Sequence, residues 1–284
     1  MVSALGFGGS EIGHESVTAE TVDTLLNAAL DAGLNLIDTA ECYRESEDKI
    51  GRAIASRRDE FVLMTKCGHN QGFDEPDWDP AMLAKSIDRS LQRLQTDHVE
   101  VVQLHSCSRE MLEQGDVIEP LIRAKESGKT RYIGYSGDSH AALWAVESGI
   151  FDTLQTSINI ADQECVDLTL PKAVERDMGI IAKRPIANVA WTFNSENVGG
   201  YERTYFERLR ILNYPFLPGD NAVATALRFT LACPGVATAI VGTTKPGRWS
   251  QNSALIEHPI NEEVFEAIRE RWMQASERSW TGQT

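Results

Sequence analysis

Eight short apolar or β-branched runs alternate with segments of helical periodicity, and this alternation constrains the fold more than any other feature of the sequence. The runs are ALGFG (4–8), LNLID (34–38), FVLMTK (61–66), VEVVQLH (99–105), RYIGYS (131–136), LQTSI (154–158), GIIAK (179–183) and VATAIVG (236–242). Parallel strands need long crossovers, usually helical, so repeated strand–helix units build a parallel sheet with helices outside it. Eight such units predict an α/β chain closed into a (β/α)8 barrel. No internal repeat, low-complexity stretch or Pro/Ser-rich linker interrupts the 284 residues, and the expectation is one domain over residues 1–284.

The segments between the runs carry helix punctuation. Thr18 is placed as an N-cap before a stripe of Val22, Leu25, Leu26 and Ala29, with Gly33 as the stop. Asp79-Pro80 pairs a cap with proline at the first helical position, ahead of Leu83, Ile87, Leu91 and Leu94. Residues 110–127 read as one helix ending at Gly128, and 139–148 as another ending at Gly149. Pro171 opens a short helix before GIIAK. Two stretches break the rhythm. The connection 186–219 is long and rich in Trp, Tyr and Phe, the kind of segment that carries function or small helices of its own. From Asn261 onward a final helix is expected, followed by SWTGQT.

Charge and cysteine usage exclude some roles. Forty-two acidic against 27 basic residues give a net charge of −15, which repels nucleic-acid phosphates, and no basic patch offsets it. Five scattered cysteines are an odd number without a disulfide pattern and suit a reducing compartment. The opening MVSALGFGGS lacks a basic region followed by an apolar one, and no apolar run approaches the roughly 20 residues of a membrane helix. A cytoplasmic protein with no membrane partner is expected. Oligomeric state leaves no signature in the sequence.

A (β/α)8 barrel carries its chemistry at the C-terminal ends of its strands. Those ends present Asp38, Lys66 and His105, with Tyr43 just beyond Asp38. Tyrosine ordinarily ionises near 10. A neighbouring lysine ammonium is expected to lower that value, and a carboxylate to keep the lysine charged. Histidine can hydrogen-bond a carbonyl oxygen. Together the four residues suit protonation of a carbonyl.

The segments LNLIDTAECY, SEDKIG, MTKCG and VVQLHS, in this order, resemble the aldo-keto reductases, which carry Asp-Thr-Ala…Tyr, Ser-Glu-x-x-Leu/Ile-Gly, Thr-Lys and Leu-His motifs. The resemblance extends over essentially the whole chain and implies a TIM barrel. It carries the family's catalytic tetrad onto Asp38, Tyr43, Lys66 and His105. It further implies NADPH/NADP+ as cofactor and hydride transfer to the carbonyl carbon of a small aldehyde, ketone or sugar, with Tyr43 as the acid. For the cofactor, the resemblance places Ser136 and Gln155 at the carboxamide, with Gly137 where the family has Asn. Gly8 and Gly9 of GFGG lie near it. The segment AIVGTTKPGRWSQN resembles the grip on the adenosine 2′-phosphate, through Arg248, Gln251 and Asn252, with Gly242 where some branches have lysine and Thr243, Thr244 and Lys245 as compensation. A planar guanidinium suits a phosphate, and the helix start there adds a favourable dipole.

The family's aromatic-Ser-Pro-Leu at the seventh strand end is here Lys183, Arg184, Pro185 and Ile186. Arg184 is expected to replace the ring beside the nicotinamide or to reach the pyrophosphate, unless it forms a structural ion pair. No GxGxxG supports a Rossmann site. Cys42, Cys67 and Cys107 flank the tetrad but lack close ligand spacing, so no metal is expected. Two other readings stay open: a redox-sensing regulator that retains nicotinamide on the same fold, and a barrel hydrolase or aldolase forming a Schiff base at Lys66.

Overall fold

The computed structural model describes residues 1–194, 199–277 and 279–283. Residues 195–198 of the long connection, Arg278 and Thr284 lie outside the described residues. Eight parallel strands close into a barrel in sequential order: β1 (Leu5–Gly8), β2 (Leu36–Asp38), β3 (Val62–Cys67), β4 (Val99–His105), β5 (Thr130–Ser136), β6 (Thr153–Ser157), β7 (Gly179–Lys183) and β8 (Val236–Val241). β1 pairs with β8 to complete the ring. Each run read from the sequence overlaps its strand, with boundaries moved by at most two residues.

Strand alternation sorts the side chains into two layers. Outward residues such as Ile37, Leu63, Val102, Leu104, Ile133 and Leu154 join the core under the helices. Inside, Leu36, Met64, Val101 and Ile181 form a small separate apolar floor. Two positions further along β2, β3 and β4 stand Asp38, Lys66 and Gln103, and His105 follows two beyond Gln103. The period of two therefore sets one polar tier above an apolar one, at the mouth.

The helices begin where their caps predict. Thr18 Oγ1 accepts from the Thr21 N–H at the start of Ala19–Asp31, and Asp79 accepts from the Ala81 and Met82 N–H groups ahead of Pro80–Leu94. Ser139–Ser148 and the last helix, Glu262–Ser276 behind Asn261, agree likewise. One expectation fails. Residues 110–127 form two helices, Arg109–Gln114 and Glu119–Glu126, because Gly115 adopts a left-handed φ of 86° that caps the first. The long connection carries a 3₁₀ segment, Ala187–Thr192, and a helix, Gly200–Leu212. Among the described residues no helix is long and apolar enough to cross a membrane.

Candidate active site

The three residues named from strand ends and Tyr43 come together. Lys66 is fully buried and its Nζ lies 2.6 Å from Asp38 Oδ2, donating also to the Thr39 carbonyl at 2.8 Å. The same ammonium stands 5.1 Å from the centre of the Tyr43 ring. Tyr43 meets His105 edge to face, with centroids 5.6 Å apart. Tyr43 reaches this place because its loop is fastened from both sides. Gly9 donates its N–H to the Asp38 carbonyl at 2.7 Å, and Ser46 bonds the Gly9 carbonyl and Thr39. A Cβ at Gly9 would lie 2.8 Å from Ser46 Oγ, so the approach requires glycine.

Electrostatics divide the roles. Burial pulls the Lys66 ammonium toward neutrality, but the Asp38 carboxylate and Tyr43 outweigh it and hold its pKa above the usual lysine value. A lysine held charged is not the free amine that a Schiff base needs. Burial raises the Tyr43 hydroxyl above the ordinary tyrosine range, with Lys66 opposing. This corrects the sequence expectation of a lowered value: desolvation of the phenolate exceeds the pull of one cation. Tyr43 thus keeps its proton at neutral pH. Burial, followed by the charge of Lys66, depresses His105 well below the histidine range, so its ring is neutral.

The carboxamide candidates are wired to the same cluster. The register sets Ser136 beside both His105 and Gln155. Ser136 Oγ donates to Gln155 Oε1 at 3.0 Å, and Gln155 Nε2 donates to Asp38 Oδ1 at 2.9 Å. Gly137 has a steric reason: a Cβ there would lie 2.5 Å from Tyr135 Oη, which donates to the Cys107 carbonyl. An Asn at that place would displace a buried tyrosine.

Around β5–β7 the structure adds residues that the sequence reading passed over. Asp138 is buried, accepts from Thr156 Oγ1 and the Ser157 N–H, and pairs with Lys183 Nζ at 2.8 Å. Burial lowers the Lys183 pKa, with Asp138 opposing. Arg184 donates to Ser157 Oγ at 3.1 Å and to the backbone carbonyl of Gln283. The segment 281–283 is tied down further: Arg208 donates to the Thr281 carbonyl at 2.7 Å, Gly282 N–H to Glu164, and Gln283 N–H to Asp162. Tyr205 Oη also donates to Asp162 at 3.2 Å. Trp280 meets Trp272 edge to face, beside the Arg208 guanidinium. No local motif announces these long-range contacts.

Glu41 was also passed over. It is buried two residues before Tyr43, accepts from Arg89, and lies 3.4 Å from Arg93. Arg89 stacks on Phe73 at 3.7 Å and holds the Gln71 carbonyl, which joins the Tyr43 loop to the loop after β3.

At the far side, Gly242 follows β8 and faces Gly8, whose added Cβ would stand 3.4 Å from the Gly242 nitrogen. Thr243 Oγ1 accepts from the Lys245 N–H at 3.1 Å. The helix Arg248–Ala254 comes next. Thr244 is half-buried, Lys245, Arg248 and Gln251 are exposed, and Asn252 is buried. All five cysteines are free, and among the described residues no group of three or more His, Cys, Asp or Glu side chains is placed to hold a metal.

The profile of the Aldo/keto reductase family matches residues 4–272. An uncharacterised oxidoreductase of Bacillus subtilis, YqkF, is 27% identical over 292 residues, covering 96% of this chain and 94% of its own. Among solved structures, aldo-keto reductase AKR11C1 from Bacillus halodurans superposes with a TM-score of 0.80 at 24% identity, covering 95% of this chain and 92% of its own. An aldo-keto reductase from Klebsiella pneumoniae, solved in complex with NADPH, gives 0.74 at 24% identity, covering 95% and 90%. At these identities the structural likeness speaks for the fold.

Proposed function

The chain belongs to the Aldo/keto reductase family, a family of oxidoreductases, and from that premise we propose that it reduces an aldehyde or ketone with NADPH, as one barrel domain over residues 1–284. The observation that carries this reading is the joining of Tyr43, buried Lys66, Asp38 and neutral His105 at one mouth.

Each residue has a role that its surroundings support. Tyr43 keeps its proton until a carbonyl oxygen gains negative charge, and then donates it through Oη. The Lys66 ammonium beside the ring stabilises the tyrosinate left behind, and Asp38 holds Lys66 charged. His105, being neutral, donates an N–H to the carbonyl oxygen and orients it.

The residues present fit a nicotinamide dinucleotide phosphate by the chemistry of their donors. Ser136 and Gln155 offer hydroxyl and amide groups at the tetrad for a carboxamide, and Gly8, Gly9 and Gly242 present no side chain where β1 and β8 end. Lys183 and Arg184 add positive charge at the end of β7. Exposed Lys245 and Arg248, with Thr243, Thr244, Gln251 and Asn252, suit the 2′-phosphate end. When bound, NADPH supplies the hydride.

The test is NADPH absorbance across a panel of aldehydes, ketones and sugars. Multiple turnovers are expected, with NADPH bound more tightly than NADH. Tight retention of the nucleotide with no turnover on any carbonyl would replace the enzyme with a nicotinamide-binding regulator. Equal affinity for NADPH and NADH would refute the assignment of Arg248 to the 2′-phosphate.

A further inference from the structure

A neutral imidazole carries one proton on one of two nitrogens, and which nitrogen holds it follows from what the other one meets. His105 Nδ1 lies 3.3 Å from the Sγ of Cys42, within hydrogen-bond reach of sulfur. That contact is the ring's one hydrogen bond among the described residues. Cys42 immediately precedes Tyr43, so one loop delivers both the proposed proton donor and the group that meets His105. Four of the cysteines are buried, whereas Cys42 is half-exposed at the mouth.

We propose that Cys42 is a positioning residue: its thiol donates to Nδ1 of His105, fixes the ring as the Nε2–H tautomer and leaves that N–H for the substrate oxygen. The proposal rests on the carbonyl-reductase reading given above.

The direction of the bond follows from the partners. Thiol sulfur is a weak acceptor, whereas an unprotonated imidazole nitrogen accepts well, so S–H···N is favoured over N–H···S. Burial pushes the Cys42 thiol up to about 11, with Lys66 opposing, so at neutral pH it holds a hydrogen to donate. The ring itself is kept neutral by burial and by the cations that face it: Lys66 on β3, and Lys183 and Arg184 at the end of β7. With Nδ1 accepting and the ring uncharged, the proton has Nε2 as its place. Edge contacts with Tyr43 and with His69, at 5.4 Å between centroids, restrict reorientation of the ring. A protonated thiol of this kind is also a poor redox sensor, because thiolate is the reactive form.

Nitrogen-15 NMR of histidine-labelled protein reads the tautomer directly, with His105→Gln used to assign the signals. The wild type should show one Nε2–H tautomer. In Cys42→Ala a second, Nδ1–H population should appear, and kcat should fall about threefold to tenfold, as expected for loss of one hydrogen bond, with KM less changed. Cys42→Ser retains a donor and should restore both the single tautomer and most of kcat. A wild-type ring protonated at Nδ1 overturns the proposal. So does Cys42→Ala with both tautomer and kcat unchanged. A wild type that turns over no carbonyl would sink the reductase reading instead, and the NMR arm would still report whether Cys42 sets the tautomer.

Discussion

Across β2, β3 and β4 the mouth of the barrel holds one buried ion pair, Lys66 with Asp38, against a tyrosine and a histidine that are only half-buried. Across β5, β6 and β7 it holds a denser set of charges: Asp138 with Lys183, Asp162 near Arg208, and Arg184 on the backbone of residue 283. In the first region the charges surround two groups that can exchange a proton with a ligand. In the second they face one another and the segment 281–283. The difference teaches that buried charge alone does not mark chemistry. The first region brings together the groups that the proposed reaction needs, and the second ties the ends of β6 and β7 to the segment 281–283.

Tyr43→Phe should break the first region's function with the largest effect. Removing a general acid typically costs on the order of 10² to 10⁴-fold in turnover. Because the hydroxyl makes no part of the Lys66–Asp38 pair, the variant should fold as the wild type and bind NADPH with nearly unchanged affinity. Stopped-flow turnover and nucleotide titration check both halves. Retention of more than about a tenth of wild-type turnover would show that Tyr43 is not the acid.

Asp138→Ala should do the reverse. It strands the Lys183 ammonium, which is buried, and leaves Thr156 Oγ1 and the Ser157 N–H without their acceptor. Breaking a buried pair by removing one partner costs about 3–5 kcal/mol. Urea unfolding should show a loss of that order. A variant as stable as the wild type would mean that water reaches the pair and that the second region is not a stability element.

The two regions also differ in how far the sequence disclosed them. Asp38, Lys66 and His105 were legible because each ends an apolar run, and strand period and register then dictate where they point. Tyr43 followed from its motif. Its proton affinity did not, since burial is a property of the packed mouth. Gly137 was visible as a departure, but the Tyr135 ring that forbids a side chain there depends on how β5 meets β4. Asp138 was one residue further on and gave no signal. The tail was least legible, because Gln283 bonds Asp162 across 121 residues of sequence. The turn after β7 was nearly as hidden: Arg184, Ala187, Asn188 and Val189 adopt left-handed backbone, and of these only Asn188 is a residue type that favours it. Periodicity reports local structure and the face it buries, whereas a strap across the mouth is a tertiary contact.

Asp162 sharpens the comparison with the smallest effect, because it tests whether the second region titrates as a structural unit. Its carboxyl is buried, and burial, helped by the nearby Asp138 charge, raises its pKa to about 7 against the pull of Arg208 and of the Gln283 N–H. In the unfolded chain an aspartate ionises near 4. Between those values the folded protein keeps a proton that the unfolded chain has released, so this group favours the folded state most at low pH. That contribution is lost as pH rises through about 7 and is spent above it. From about pH 6 to about pH 8 the change should be about 1 kcal/mol of stability. Asp162→Asn cannot ionise, yet its amide oxygen can still accept from Tyr205 and Gln283. Urea midpoints measured across that range should therefore fall more steeply with pH in the wild type than in the variant. Every other titrating group is common to both proteins and cancels in the difference. Parallel curves would show that Asp162 is already ionised at neutral pH, with Arg208 and the tail dominating its burial. The second region would then be held by full charges, as the first is by Lys66 and Asp38.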